Sequence, residues 1–108
     1  SKQNIKFINM ISDVRVKGSL IEVYDSSSKR ISYMSEGSKD LVGIASNFFV
    51  IINGSLIEVY DEKCKRISYM SQGSKIVRGA AGNTFTVKNG SLIETYDEKC
   101  KRISYKSA

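Results

Sequence analysis

The pattern of apolar and polar residues along the chain repeats every 36 residues. One motif is SLIEVYD, whose copies begin at Ser19, Ser55 and Ser91, with Thr95 replacing Val in the third copy. A second motif, KRISYMS, follows each copy after a short polar segment, and Lys106 replaces Met in its third copy. A constant period predicts a repeat architecture. The three predicted repeats belong to one domain and span residues 1–36, 37–72 and 73–108.

Within each repeat, short segments rich in β-branched and aromatic residues alternate apolar with polar positions, which is typical of half-buried strands. Turn-forming residues separate these segments. The second repeat shows the pattern most completely, and its predicted strands cover residues 39–45, 48–52, 55–60 and 66–70. Four such strands in succession predict an antiparallel meander.

Two turns in the second repeat carry specific predictions. Asn53-Gly54 is a strong hairpin signal, because a type I′ turn needs positive φ at both central positions. The loop after the third strand has an odd length, which pairs Val59 with Ile67 and places one loop residue in the left-handed region. The expected left-handed residues are Ser28, Cys64 and Cys100, one in each repeat.

The third repeat reads IVRGAAGNTFTV over residues 76–87 and continues with LIETYD and KRI. This stretch resembles the short blades of YVTN-type β-propellers. The resemblance spans the whole chain, is generic to the architecture, and implies an all-β fold of three four-stranded blades. The chain departs from such blades at Cys64 and Cys100, where Gly is common. Small residues on the first strand suit a crowded ring centre, and they are Gly43, Ala45, Gly79, Ala80 and Ala81.

Three blades cannot close a ring, because propellers have about four to eight. The sequence near the two termini is similar to the internal linkers, so a second chain could continue the series. We therefore expect a six-bladed ring formed by a homodimer, in which another copy covers an apolar flank at each end of the chain. Two alternatives are a β-trefoil monomer, which also has three repeats of four strands, and a chain cut from a longer propeller.

The first repeat diverges from the other two. Residues 5–10 are bulkier than their counterparts, and Lys17 precedes the turn glycine where the others have Asn. We expect this bulkier strand to contact the last blade of a partner chain, so Phe7→Asp would dissociate the dimer.

The composition is that of a folded protein, with 41% apolar and 26% charged residues. No segment approaches the ~20 apolar residues that span a bilayer, and residues 1–7 lack the apolar core of a secretory signal. We expect a soluble protein that is cytoplasmic, or exported after removal of a signal. His, the commonest general base and metal ligand, is absent. Without a nucleophile–base pair or a cofactor motif, we expect no enzymatic activity, no cofactor and no metal site.

The net charge of +6 would attract nucleic acid, an anionic lipid surface or an acidic protein. The basic residues alternate with Asp and Glu rather than clustering, which argues against nucleic acid. An acidic protein or a glycan therefore remains as the expected partner besides a second copy of the chain. The predicted binding surface is a positive band on the turn after the third strand, and it comprises Lys63, Lys65, Arg66, Lys99, Lys101 and Arg102.

Other recurring side chains are expected to be structural. A mid-strand carboxylate should accept hydrogen bonds from the facing Ser or from a nearby Lys or Arg in each repeat, at Glu22, Glu58 and Glu94. Two sets of tyrosines should pack between blades, although they could stack sugars, and they are Tyr24, Tyr60 and Tyr96, and Tyr33, Tyr69 and Tyr105. Cys64 and Cys100 should be exposed free thiols, because adjacent blades would hold them on the order of 15–20 Å apart.

These observations predict a non-catalytic binding or scaffolding module whose partner the sequence does not identify. The alternative is a carbohydrate-binding, lectin-like propeller. A glycan array would separate the two classes, because only the second should recognise sugars.

Overall fold

A computed structural model describes residues 10–108, and within them the chain is all-β, with eleven strands and no helix. The strands are β1 (Asp13–Lys17), β2 (Leu20–Tyr24), β3 (Arg30–Ser35), β4 (Lys39–Ile44), β5 (Phe48–Asn53), β6 (Leu56–Asp61), β7 (Arg66–Ser71), β8 (Ile76–Ala81), β9 (Thr84–Asn89), β10 (Leu92–Asp97) and β11 (Arg102–Ser107). The predicted strand positions in the second repeat agree with these bounds to within a few residues.

The strands form three antiparallel sheets, and each sheet lies within one predicted repeat. The sheets contain β1–β2–β3, β4–β5–β6–β7 and β8–β9–β10–β11, each in sequence order. In residues 10–108 no hydrogen-bonded ladder joins strands of different repeats, whereas the barrel of a β-trefoil requires such pairing. Most of the bulky stretch at 5–10, including Phe7, lies outside the described residues, so the expectation attached to Phe7 stays a prediction.

The hairpin predicted at Asn53-Gly54 is confirmed, but the predicted turn type, I′, is wrong. Asn53 pairs with Leu56, so the two loop residues are Gly54 and Ser55. Gly54 has a φ of 61°, whereas Asn53 and Ser55 do not have positive φ. A single positive φ at the first loop position matches a type II′ turn, which also suits the twist of a hairpin.

The outer hairpin contains both a confirmed prediction and a wrong one. The left-handed conformation is confirmed, with φ values of 63°, 60° and 59° at Ser28, Cys64 and Cys100. Tyr60 faces Arg66, but a β-bulge then shifts the register by one residue, and Val59 faces Ser68. The predicted pairing of Val59 with Ile67 is wrong because a bulge leaves an extra residue unpaired, a possibility the alternation of residues does not reveal.

Two apolar clusters hold the three sheets face to face. The cluster between repeats 2 and 3 contains Ala45, Phe48, Val50, Ile57, Val59, Phe85, Val87 and Tyr96. The cluster between repeats 1 and 2 contains Ile11, Val14, Ile21, Val23, Phe49, Ile51 and Tyr60. Each fully buried Val, Ile or Phe contributes about 1.5–3 kcal/mol, so burial of these side chains is the main force between sheets that share no ladder.

The sheets approach most closely at their first strands. β4 lies beside β8, and a Cβ placed on Gly43 would be only 3.1 Å from the Cβ of Ala80. The predicted crowding of small residues is therefore confirmed at this contact. No comparable approach joins β7 and β11 within the described part of the chain, so the sheets fan out from their first strands. The fan measures 48 × 40 × 19 Å, and its thin dimension is about the length of a six-residue strand.

Candidate binding surfaces

A buried carboxylate lies at the centre of each outer hairpin. Glu58 is 2% exposed and accepts three hydrogen bonds. The donors are Arg66 Nη1 at 2.9 Å, Tyr60 Oη at 2.8 Å and Asn53 Nδ2 at 3.1 Å. Register and bulge together bring these donors to one face of the sheet, since Tyr60 follows Glu58 by two positions along the strand. The Asn of the Asn-Gly pair thus binds the carboxylate, in addition to closing the turn.

The same arrangement recurs in the other repeats. In repeat 3, Glu94 accepts bonds from Arg102, Tyr96 and Asn89 at 2.8, 3.0 and 3.1 Å. In repeat 1, Glu22 accepts bonds from Tyr24 and Arg30 at 2.8 and 2.9 Å. The expected bond from Arg is confirmed, whereas the expected bond from the facing Ser is wrong, because the bulge places a Tyr opposite each Glu.

These contacts set the ionisation of the buried groups. Burial alone would raise the pKa of Glu58, but the bonds from Arg66, Tyr60 and Asn53 and the charge of Arg66 bring that pKa below its ordinary value. Burial and the bond to Glu58 raise the pKa of Tyr60 to about 12. Glu58 is therefore an ionised structural acceptor and Tyr60 a neutral donor at neutral pH.

The serine on each outer strand reaches the next repeat instead. Ser32 Oγ donates to the Glu62 carbonyl oxygen at 2.6 Å and lies 3.3 Å from Cys64 Sγ. Ser68 makes the corresponding contacts, at 2.6 and 3.3 Å, with Glu98 and Cys100. These bonds join the outer edges of neighbouring sheets, where the apolar clusters end.

The two cysteines are free, as predicted, but they are half-buried rather than exposed. Cys64 packs against the cluster between repeats 1 and 2, and Cys100 packs against the cluster between repeats 2 and 3. Burial raises the pKa of both thiols, which keeps them protonated and poorly nucleophilic at neutral pH. Ser28, the equivalent residue of repeat 1, is exposed.

The predicted rim band divides into arginines with structural contacts and exposed lysines. Arg66 binds Glu58, and its guanidinium carbon lies 4.4 Å from the centre of the Tyr69 ring. Arg102 binds Glu94 and lies 4.5 Å from the centre of the Tyr105 ring. Lys63, Lys65, Lys99 and Lys101 are exposed, while their backbone N–H groups donate to the turn carboxylates of Asp61 and Asp97.

The rim lysines have acidic neighbours. A shallow depression of about 400 Å³ opens between the outer turns of repeats 2 and 3, and it contains three carboxylates beside two lysines. Its charged lining residues are Asp61, Glu62, Lys63, Lys65 and Glu98. The rim is therefore a surface of mixed sign. The prediction that it binds a partner stays a prediction.

The two tyrosine sets have different surroundings. Tyr60 stacks on Phe49 and Tyr96 stacks on Phe85, with ring centres 5.6 and 5.5 Å apart, which confirms their expected packing between repeats. The other set was expected to pack in the same way, and that expectation is wrong. Exposure of these side chains is 55%, 55% and 60% for Tyr33, Tyr69 and Tyr105, each beside an arginine.

The sequence prediction missed a difference between the two faces of repeat 3. On the face towards repeat 2, Phe85, Val87 and Tyr96 preserve the apolar character of Phe49, Ile51 and Tyr60, which lie 36 positions earlier. On the opposite face, six apolar positions of repeat 2 have polar counterparts. Val42, Phe48, Val50, Ile52, Val59 and Met70 correspond to Arg78, Thr84, Thr86, Lys88, Thr95 and Lys106. We call the last six residues the repeat 3 end face. Aligning the repeats strand by strand could have revealed it.

The open face of repeat 1 is also polar. Asp13 and Arg15 occupy the positions of Phe49 and Ile51, and they form an ion pair of 2.8 Å. Arg15 also lies over the ring of Tyr24, 4.4 Å from its centre. Among residues 10–108, this face carries charges of both signs.

No protein-family model matches the chain, and no curated protein sequence is significantly similar to it. Among residues 10–108, no group of three or more acidic or cysteine side chains is placed to hold a metal ion. That part of the chain also contains no helix long and apolar enough to cross a membrane.

Proposed function

We propose that this protein is a non-catalytic binding module, built as a fan of three propeller-type blades, that recognises an acidic partner protein. The proposal rests on how the charged groups are used. The recurring carboxylates Glu22, Glu58 and Glu94 are buried and bonded to arginine and tyrosine within their own repeat. The lysines of the rim and of the repeat 3 end face are free of ion pairs in residues 10–108. Carboxylates lie beside the rim lysines, whereas positive charge predominates on the end face.

The propeller interpretation is supported by three features of the fan. Each sheet is a meander in sequence order, the first strands approach most closely, and apolar clusters join successive sheets face to face. Propeller blades combine these features around a central axis. The assignment to propellers remains part of the proposal.

The six-bladed homodimer expected from the sequence is untested by the described residues, and its physical basis is weaker than the sequence indicated. That prediction assumed apolar flanks at both ends of the chain. The repeat 3 end face instead carries three cations and three threonines, and the open face of repeat 1 carries Asp13, Arg15 and Lys17. By the 36-residue correspondence, ring closure would put Lys88 and Arg15 at the positions that Ile52 and Val87 occupy in the repeat 2–3 cluster. We therefore propose that the three-repeat chain acts without a second copy.

Retention on immobilised polyglutamate tests the proposed function. The protein should bind at low ionic strength and elute as salt is added, because the attraction comes from exposed charges that salt screens. A polylysine matrix of the same density is the control, since it should not retain a chain with a net charge of +6. Passage through polyglutamate without retention at low salt would contradict the proposal.

A carbohydrate-binding module is the second candidate, and the exposed rings of Tyr33, Tyr69 and Tyr105 favour it. A sugar could stack on the ring face that the arginine leaves free. Binding on a glycan array that Tyr69→Ala weakens would support this candidate. No binding to any glycan would leave the acidic partner as the function.

A further inference from the structure

We propose that the repeat 3 end face is the surface that binds an acidic segment of a partner protein. The inference rests on the proposed function and specifies its site. The end face comprises Arg78, Thr84, Thr86, Lys88, Thr95 and Lys106, as defined above.

The first step is that the change from apolar to polar is confined to one face. Side chains alternate between faces along a strand, so residues 84, 86 and 88 of β9 lie on one face and Phe85 and Val87 lie on the other. Phe85 and Val87 are fully buried against repeat 2, while their immediate neighbours in the strand are Thr or Lys. This confinement indicates a face that meets water or a polar partner.

The second step is that the three charged residues among the six that define the end face are all cations. Arg78, Lys88 and Lys106 are exposed, and no carboxylate of residues 10–108 lies within ion-pair distance of them. Asp97 lies opposite Thr84 at the edge of this face, where its Oδ1 accepts the backbone N–H groups of Lys99 and Lys101. Solubility alone is served by mixed charges, as on the open face of repeat 1. A predominantly positive field attracts a partner of negative charge.

The third step concerns the class of partner. The register places Ile76, Lys88, Ile93 and Lys106 in one row across the sheet, so aliphatic and cationic side chains alternate. The next row contains the hydroxyl groups of Thr86, Thr95 and Ser104. Ile76 is 63% exposed. A phosphate or sulfate polymer has no apolar groups to cover these isoleucines, whereas an acidic polypeptide offers carboxylates beside aliphatic side chains.

Sugars and nucleobases fit this surface less well than a polypeptide does. Both are commonly held by stacking on aromatic rings. No aromatic side chain lies on the end face, and the nearest ring, Phe85, is fully buried on the other side of the sheet. A shallow cavity of about 300 Å³ between β8 and β9 is lined by Arg78, Thr84 and Thr86 among others, and it has room for a side chain of the partner.

The test compares two pairs of lysines that carry the same charge. Lys88→Gln/Lys106→Gln removes two charges from the end face, and Lys63→Gln/Lys65→Gln removes two from the rim. All four lysines are exposed, so both variants should fold, and circular dichroism checks this. Binding of a short peptide of Glu and Leu, of an all-Glu peptide of equal length, and of heparin is then measured by titration at low salt.

We expect the wild-type protein to bind the Glu and Leu peptide more tightly than the all-Glu peptide. The end-face variant should bind it about tenfold more weakly, and the rim variant should be within about twofold of wild type. Weakening in the rim variant alone, or equally in both, would overturn the inference while the proposed acidic partner stands. Tighter binding of heparin that depends on Lys88 and Lys106 would overturn the assignment to a protein partner. No binding of either acidic peptide by wild type would overturn the proposed function itself.

Discussion

The junction between repeats 2 and 3 and the end face of repeat 3 are built on sheets of the same strand order and the same bulge positions, yet they have opposite chemistry. At the junction, Phe48 meets Phe85 edge to face with ring centres 6.5 Å apart. On the end face, Thr84 occupies the position of Phe48. The backbone of a repeat therefore does not decide whether a face meets another sheet. A few alternating side chains decide it.

The largest expected effect comes from giving the junction an end-face residue. Phe48→Thr removes a fully buried ring and places a hydroxyl in the cluster, so it should lower the free energy of unfolding by roughly 3–5 kcal/mol. Thr84→Ala, at the matched position of the end face, should change it by less than about 0.5 kcal/mol. Denaturant unfolding measures both. Equal losses would show that the two faces are not distinct.

The buried carboxylates also differ in location, because Glu58 lies at a junction between repeats and Glu22 lies on the open side of repeat 1. Glu58→Ala leaves Arg66, Tyr60 and Asn53 without their acceptor and should cost about 2–3 kcal/mol. Glu22→Ala leaves only two donors, Tyr24 and Arg30, without their acceptor and should cost less. Chemical denaturation of the two variants checks the order. A larger loss for Glu22→Ala would contradict the assigned role of Asn53.

Acid should weaken the fold through these same groups. The folded-state pKa values of Glu22, Glu58 and Glu94 lie below the ordinary value of 4.5. A lowered folded-state pKa contributes stability that is present above the ordinary value and is lost as pH falls through the folded-state value. The free energy of unfolding should therefore decrease below about pH 4.5. Glu58→Gln/Glu94→Gln should decrease less steeply, and an unchanged slope would argue against these carboxylates as its source.

The smallest effect distinguishes two left-handed turn residues. Ser28→Gly relieves strain at an exposed turn and should stabilise the protein by about 0.5–1 kcal/mol. Cys64→Gly relieves the same strain, but it also removes the thiol that packs at the junction and contacts Ser32. Its net effect should be near zero or destabilising. Thermal unfolding of the two variants measures the difference. An equal gain in stability for both would show that the Cys64 thiol does not contribute to packing.

Much of the fold could be predicted from the sequence, because alternation and turn chemistry act locally. The period, the strand positions and the left-handed residues at Ser28, Cys64 and Cys100 all follow from short stretches. The register of the outer hairpin beyond its bulge could not be predicted in this way. An unpaired residue at the bulge shifts the strand pairing without changing the residue pattern. The wrong serine partner for Glu58 is a consequence of that same shift.

The candidate site was predicted less well, for a different reason. The sequence predicted a positive binding surface that includes Lys63 and Lys65, because these lysines recur as part of a turn. The structure places carboxylates beside them. The residues of the end face do not recur. Lys88 indicates a polar face only when it is compared with Ile52, its counterpart in repeat 2, and when the structure shows which face of the sheet each residue occupies.

Solution mass tests the central claim most directly, namely that the repeat 3 end face is built to meet water or a polar partner rather than another blade. Light scattering across a range of dilutions should give the mass of one chain for the wild-type protein. A variant with the repeat 2 residues restored, Thr84→Phe/Thr86→Val/Lys88→Ile, should associate, because it exposes the apolar surface that a junction buries. A wild-type mass of two chains that persists on dilution would contradict the claim and support the six-bladed ring.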